Sequence, residues 1–338
     1  MSTLLVDIGG TGSRAALVDD VLESGSVAGA QIGPALAVGP QGIDLAEPLA
    51  VLTERLATPL AAAPPALVCV GMSGLLGLTP TEAAVTALQD AFPKAHLVLA
   101  SDAVAAAAGA LGPDGGVAVT AGTGVIGLAT DFRSWWRRAD GWGHLLGDEG
   151  GGAWVGLAGL RAALRAHDGR PGGSAALLAE LVARHGDPVT LPGQVYTRQD
   201  RGAVLAGFAP AVARAAAAGD PIAEQIWRRA AHHLAATAAS LATRPPRGGS
   251  SAPLSRMSPP VAFVGGLLQV GQLLTGPLQE RLAELAPDSV VSFPTVGPLD
   301  GCLALARRWR VGQLASVPPY LSLISPRDRD LRPGKDRA

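Results

Sequence analysis

The sequence predicts an α/β protein built from two packed domains, and three observations lead there. The chain has 338 residues, 48% of them hydrophobic and only 16% charged, which is enough apolar surface for more than one core. Short apolar runs alternate with Ala-rich and Leu-rich segments, the order expected of a sandwich with a partly parallel sheet. A strand, a glycine turn and a second strand occur in that order twice, once at the start and once after Gly112-Pro113-Asp114-Gly115-Gly116.

Leu4 to Ile8 is the first apolar run, and it leads into Gly9-Gly10-Thr11-Gly12-Ser13 before Arg14 to Val18 resumes the pattern, so a β-hairpin is expected there. Leu45 to Leu60 and Thr81 to Phe92 have helical composition, whereas Ala66 to Met72 and His96 to Ala100 read as buried strands. The turn formers at 112–116 mark a domain boundary. A second hairpin follows, Val117 to Ala121 and Val125 to Thr130 around Gly122-Thr123-Gly124.

Helices are expected from Gly147 to Arg165, Arg201 to Ala218 and Pro221 to Leu241, the last with Asp220 as N-cap and Pro221 at its first position. The Pro- and Gly-rich stretch 243–260 reads as a mobile surface loop. Val261 to Val264 returns to strand, and a helix starts near Leu267. A final helix begins at Pro298. The expected domains are residues 1–113, completed by the helix at about 298–315, and residues 114–297; the tail 316–338 is expected to be poorly ordered.

Composition removes several function classes. Lys+Arg total 27 and Asp+Glu 28, a net charge of -1 that offers no basic footprint for nucleic acid or an acidic membrane. Cys69 and Cys302 are too few for a disulfide scaffold, a four-thiolate zinc site or an iron–sulfur cluster within one chain, and read as buried thiols. Neither lysine, Lys94 or Lys335, follows a glycine-rich loop, so P-loop and protein-kinase mechanisms are excluded. The N-terminal residues carry no signal-peptide pattern, and the longest uncharged run is broken by prolines and glycines. A cytoplasmic protein is expected.

Five windows carry chemistry. Asp7 ends a strand against a glycine turn, where a carboxylate meets Mg²⁺ through water while the backbone N–H groups of Gly10, Thr11 and Gly12 face phosphate oxygens; the same pattern also makes an ordinary hairpin. Gly122-Thr123-Gly124 forms a second such turn, and Val264-Gly265-Gly266 places a glycine pair after a strand, where a nucleotide's adenosine lies on backbone. Asp102 follows a buried strand and opens a helix. It reads either as an N-cap or as the base that takes a proton from a hydroxyl attacking a γ-phosphoryl group. The window Gly141-Trp142-Gly143-His144-Leu145-Leu146-Gly147-Asp148-Glu149-Gly150 puts a Trp and two carboxylates in a glycine-rich segment, the mixture of a carbohydrate pocket. His144 reads as a structural residue.

Together these motifs resemble the actin, heat-shock protein and sugar kinase superfamily, and within it the N-acetylglucosamine kinase branch of the benzoyl-CoA-reductase-type ATPase family. The resemblance runs over nearly the whole chain and includes Val6 to Arg14, Ser101-Asp102-Ala103, Ala121 to Gly124, Gly141 to Gly150, Ala206-Gly207-Phe208, Gly219-Asp220-Pro221 and Val264-Gly265-Gly266. It implies two ribonuclease H-like domains flanking a cleft that closes over ATP·Mg²⁺ and an amino sugar, with transfer to the sugar 6-hydroxyl. By the resemblance Asp102 is the base; Gln41, Thr123, Gly141, Trp142 and Asp148 line the sugar pocket; Thr11, Gly207 and Gly266 touch the nucleotide. Gln41 stands near the position where relatives carry an asparagine, and its longer amide displaces that contact. N-acetylglucosamine is the first expected substrate and glucosamine the next, with a homodimer as a family trait. From a different class, an ATPase energising a reductase or dehydratase through an iron–sulfur cluster is the alternative, and Cys69 and Cys302 argue against it because both lie in apolar runs.

Overall fold

The computed structural model describes residues 1–9, 12–23, 25, 27, 29–39, 42–75, 81–198, 200–243 and 259–326. Gly10, Thr11, Gln41, most of the loop 243–260 and the end of the tail lie outside the described residues. The chain divides into two compact units, one of Met1–Gly109, Phe132–Ser134 and Val296–Ala338, the other of Ala110–Asp131 and Trp135–Thr295.

The first unit is built on six strands, β1 (Thr3–Gly9), β2 (Gly12–Val18), β3 (Gln31–Gly33), β6 (Leu67–Met72), β7 (His96–Ser101) and β13 (Leu321–Ile324), with β4 (Ala37–Gly39) and β5 (Gly42–Asp44) as a separate hairpin. The sheet order is β13-β7-β6-β1-β2-β3. β1, β6 and β7 run parallel, and β2 and β3 add antiparallel. Every residue of β6 is buried, which is why that run shows no polar alternation. Helices α1 (Ala46–Arg55), α2 (Ala57–Ala62) and α3 (Thr81–Ala91) complete this part, so the single helix expected over 45–60 is two helices that meet at Leu56. α4 (Asp102–Ala110) and α12 (Pro298–Arg310) meet through glycine: a Cβ on Gly301 would stand 2.2 Å from the Ala105 carbonyl oxygen.

β13 differs from the expectation for residues 316–338. Leu321–Ile324 pairs antiparallel with β7, and Leu321 is fully buried against it, so three apolar residues and Ser322 between prolines suffice for an edge strand.

The second unit repeats the sheet. β8 (Gly116–Ala121), β9 (Val125–Thr130), β10 (Trp136–Asp140), β11 (Pro260–Val264) and β12 (Val290–Ser292) are ordered β10-β9-β8-β11-β12. Reading outward from β8, two antiparallel neighbours lie on one side and two parallel ones on the other, the same senses found around β1. The repeated hairpin in the sequence is therefore the visible part of a repeated topology.

Among the described residues this unit carries α5 (Gly152–His167), α6 (Ala175–His185), α7 (Leu191–Tyr196), α8 (Arg201–Ala206), α9 (Ala209–Ala217), α10 (Pro221–Ala242) and α11 (Gln272–Leu285), with α10 lying against β8, β9 and β10. α10 starts where Asp220 Oδ1 accepts the Ala223 N–H at 2.8 Å with Pro221 at the first position, the cap read from the sequence. The segment 147–151 stays loop, so α5 begins five residues later than expected. The helix expected over 201–218 divides at Gly207 and Phe208 into α8 and α9, and Phe208 is fully buried there. After β11 the chain makes a 3₁₀ turn over Gly266–Val270 before α11.

Candidate functional site

Both sheets present their candidate residues at the carboxyl ends of parallel strands, the place where α/β sheets bind ligands. In the first unit Asp7 lies near the end of β1, Ser73 directly follows β6, and Asp102 directly follows β7. Asp7 stands opposite Arg14 in the β1–β2 ladder, with a carboxylate oxygen 4.0 Å from the guanidinium. Burial raises its pKa to about 6; Arg14 pulls it down, and the charge of Asp102 pushes it up, so the two carboxylates sense each other.

Asp102 is not the cap of α4. Ser101 holds that role, its Oγ accepting the Val104 N–H at 3.3 Å. The Asp102 carboxylate accepts the Ala103 N–H at 2.7 Å and the Ser73 hydroxyl at 2.8 Å, remains reachable by solvent, and has its pKa raised by loss of bulk water, which outweighs both hydrogen bonds. Ser73 escaped the sequence reading, since a serine after a buried strand is common. Its N–H donates to the Ile8 carbonyl at 2.9 Å, fixing it beside β1.

Gly71 supports the same corner, where a Cβ would stand 3.1 Å from the Ala105 Cβ and 3.2 Å from the Cys302 sulfur. Cys302 donates to the Val6 carbonyl at 3.2 Å and lies beside Cys69, and both are free, fully buried thiols. Burial pushes the Cys69 thiol well up. Gly12 opens β2 opposite Gly9.

In the second unit the turn Gly122–Gly124 is closed by the Gly122 N–H on the Gly124 carbonyl at 2.9 Å. Its carbonyls at Gly122 and Thr123 accept the N–H groups of Gly152 and Ala153, which open α5, at 2.8 and 2.9 Å. The turn is thereby fixed on a helix start, with Thr123 exposed at its tip. Gly124 has a specific reason to be glycine: a Cβ there would lie 2.2 Å from Asp148 Oδ2.

Asp140 organises the window 141–150. Its two carboxylate oxygens accept the N–H groups of Asp148 at 2.7 Å and Glu149 at 3.0 Å, and both Asp140 and Asp148 adopt left-handed backbone at φ 60 and 56. Asp148 Oδ1 in turn accepts the Gly143 N–H at 3.0 Å. Burial raises the Asp148 pKa against the pull of that bond. Gly141, at φ 76, lets the chain pass within contact of Ile126. Trp142 is 64% exposed with the Arg138 guanidinium 4.2 Å from its ring, so one face of the indole is held and the rest is free. His144 packs against Gly202 of α8, in keeping with a structural role.

An open pocket of about 510 Å³ brings Gly122, Thr123 and Gly266 together with Gly152, Trp227 and Leu267. Gly265 lies beneath it at φ 114, its missing Cβ leaving room for the Ala121 carbonyl oxygen. Gly207 does not line this pocket. Its neighbour Ala206 does, and Gly207 instead borders a separate polar concavity beside Arg184 and Arg198. Among the described residues no three His, Cys, Asp or Glu side chains gather to hold a metal. Asp7 could hold Mg²⁺, an ion that can take one carboxylate with waters and phosphate oxygens. Among the described residues no single helix is long and apolar enough to cross a membrane.

The family model described as the BadF/BadG/BcrA/BcrD ATPase family matches residues 5–287. An N-acetylmuramic acid/N-acetylglucosamine kinase of Clostridium acetobutylicum is 36% identical over 74 residues, 22% of this chain and 24% of that relative's length. A candidate N-acetylglucosamine kinase of Chromobacterium violaceum superposes with a TM-score of 0.64 at 27% identity over 90% of this chain and 98% of its own. A second candidate N-acetylglucosamine kinase, from Porphyromonas gingivalis, gives 0.65 at 20% identity over 89% and 97% and shares the fold.

Proposed function

Because the chain belongs to the BadF/BadG/BcrA/BcrD ATPase family, we propose that it is an ATP-dependent amino-sugar kinase. N-acetylglucosamine is the first substrate, the 6-hydroxyl is the acceptor, and the products are the sugar 6-phosphate and ADP. The observation that carries this reading is Asp102, a crowded, solvent-reachable carboxylate at the end of β7 that is released from capping by Ser101 and oriented by Ser73. An ATPase needs only water as acceptor; a carboxylate positioned in this way suits removal of a proton from a bound alcohol.

In this mechanism Asp102 accepts the proton of the sugar hydroxyl as its oxygen attacks the γ-phosphorus, and the bond to the ADP oxygen breaks in line. Ser73 is a positioning residue. It fixes one carboxylate oxygen and leaves the remaining lone pairs for the substrate. Asp7 is the residue that would hold Mg²⁺, and the ion would supply charge neutralisation for the phosphate oxygens. The segments Gly10-Thr11-Gly12 and Gly122-Thr123-Gly124 take the phosphates, and Gly265 and Gly266 carry the adenosine. Thr123, Gly141, Trp142 and Asp148 bind the sugar, the indole facing its apolar side and the carboxylate accepting its hydroxyls. By the family pattern alone, Gln41 is assigned to the contact with the same sugar and to the preference for the N-acetyl group. Gly207 acts at one remove from the nucleotide, through Ala206.

The reductase-activating ATPase reading finds no support in the thiols, since Cys69 and Cys302 are free thiols, fully buried beside each other. The test is sugar-dependent ADP release, with the phosphorylated position assigned by NMR of the product. Phosphate on another oxygen would remove the 6-hydroxyl assignment.

A further inference from the structure

A second concavity of about 320 Å³ opens between α5 and α10, away from the pocket proposed for the nucleotide. α10 separates the two: Trp227 lines the nucleotide pocket, whereas Ile222, Gln225 and Arg229 line this one. The spacing explains the division, because positions 222, 225 and 229 share one helical face and 227 lies on another. On α5, Trp154, Arg161 and Arg165 recur at the same kind of interval.

The lining holds three guanidinium groups and no carboxylate. Among the described residues Arg161, Arg165 and Arg229 have no ion-pair partner, although Arg170, Arg198, Arg214 and Arg281 elsewhere in the chain all do. Arginine stays charged at any physiological pH, so three of them around one small volume repel unless an anion joins them. One is braced: Arg229 lies 5.3 Å from the Trp154 ring. The remaining wall is apolar, formed by Trp154 and Ile222. A solvated surface needs none of this. The combination instead matches a ligand with an oxyanion head and a flat apolar body.

We propose that this concavity is a binding site for a small phosphate monoester with a planar or apolar substituent, separate from the substrate and nucleotide sites. Three forked donors suit a dianionic phosphate better than a carboxylate, which two would saturate. Contacts also lead from it to the sugar window. Trp154 meets the His233 ring edge-on at 5.0 Å, and His233 Nδ1 lies 3.1 Å from Glu149, next to Asp148.

The probe is phenyl phosphate, titrated calorimetrically into the full-length protein while a non-hydrolysable ATP analogue saturates the nucleotide pocket. One saturable site per chain is expected, with inorganic phosphate, phenol and benzoate each binding more weakly. Arg161→Glu and Arg229→Glu should each lower affinity about 10- to 100-fold, whereas Arg198→Glu should leave it unchanged. All three positions are exposed, so unchanged circular dichroism is expected of each variant. Competition by the ATP analogue, indifference to both arginine changes, equal binding of benzoate, or no saturation would each overturn the proposal. Because the titration reads binding without turnover, it stands or falls independently of the kinase assay.

Discussion

Ser73 Oγ donates a 2.8 Å hydrogen bond to Asp102 Oδ2, joining the residue that follows β6 to the one that opens α4. The bond aims a carboxylate that has no other structural duty beyond the adjacent Ala103 N–H. Asp102→Asn keeps the shape and removes the base, so kcat should fall about 10²- to 10⁴-fold with the KM for ATP little changed. Ser73→Ala should cost less, about 3- to 30-fold in kcat, because the carboxylate is misaimed and not lost. Steady-state kinetics on both variants decides; an Asp102→Asn enzyme with undiminished turnover removes the residue from the mechanism.

Asp7 gives a stability test in the metal-free protein. Its pKa of about 6 lies above the ordinary 3.8, so between those values the folded chain binds more protons than the unfolded chain. Stability attributable to Asp7 is therefore fully present below about pH 4, declines as pH rises through 6 and stays reduced above it. Asp7→Asn lifts that penalty and should be the more stable protein at pH 7.5 in EDTA by about 2–3 kcal/mol. Urea unfolding measures the difference, and an Asn variant less stable than the parent at that pH would contradict the sign.

Asp140 should matter to the sugar without touching it. Replacing it with Ala strands the N–H groups of Asp148 and Glu149, a loss of about 1–3 kcal/mol. Asp140→Asn keeps one acceptor and tolerates the left-handed backbone, so it should recover much of that stability. The KM for sugar should rise in both variants, more in Ala. Equal KM values for Ala and parent would mean the window does not hold the sugar.

The two glycines after β11 should behave oppositely. A Cβ at Gly265 would stand 2.2 Å from the Ala121 carbonyl at φ 114, so Gly265→Ala should destabilise by about 2–4 kcal/mol and abolish binding of an ATP analogue. Gly266 has open space around its Cα, and Gly266→Ala should change stability by less than about 1 kcal/mol while raising the KM for ATP. Thermal unfolding and nucleotide titration on the pair separate backbone strain from contact with the ligand.

The thiols offer an inexpensive check on the alternative function. Both are fully buried, so Ellman's reagent should react with neither until the protein unfolds, and the purified chain should carry no iron. Rapid native labelling of Cys69 or Cys302, or stoichiometric iron, would restore the iron–sulfur reading.

Much of this was legible in the sequence. The two hairpins, the buried runs of β6 and β7 and the Asp220-Pro221 cap carry strong local signals. β10 was hidden because Trp136-Arg137-Arg138-Ala139-Asp140 is a half-exposed edge strand with no alternation. Ser73 and Asp140 act on other functional residues through hydrogen bonds, and such pairings depend on a fold that spacing alone does not disclose. Gly207 borders a different concavity from the one Ala206 lines, a division that its motif does not disclose.

The most direct test is ADP release by the purified protein with ATP·Mg²⁺ and a panel of N-acetylglucosamine, glucosamine, N-acetylmannosamine, N-acetylmuramic acid, glucose and no sugar. The account predicts turnover that depends on an amino sugar, strongest with N-acetylglucosamine, and lost in Asp102→Asn. ADP release without any sugar, or none with every sugar, would contradict it.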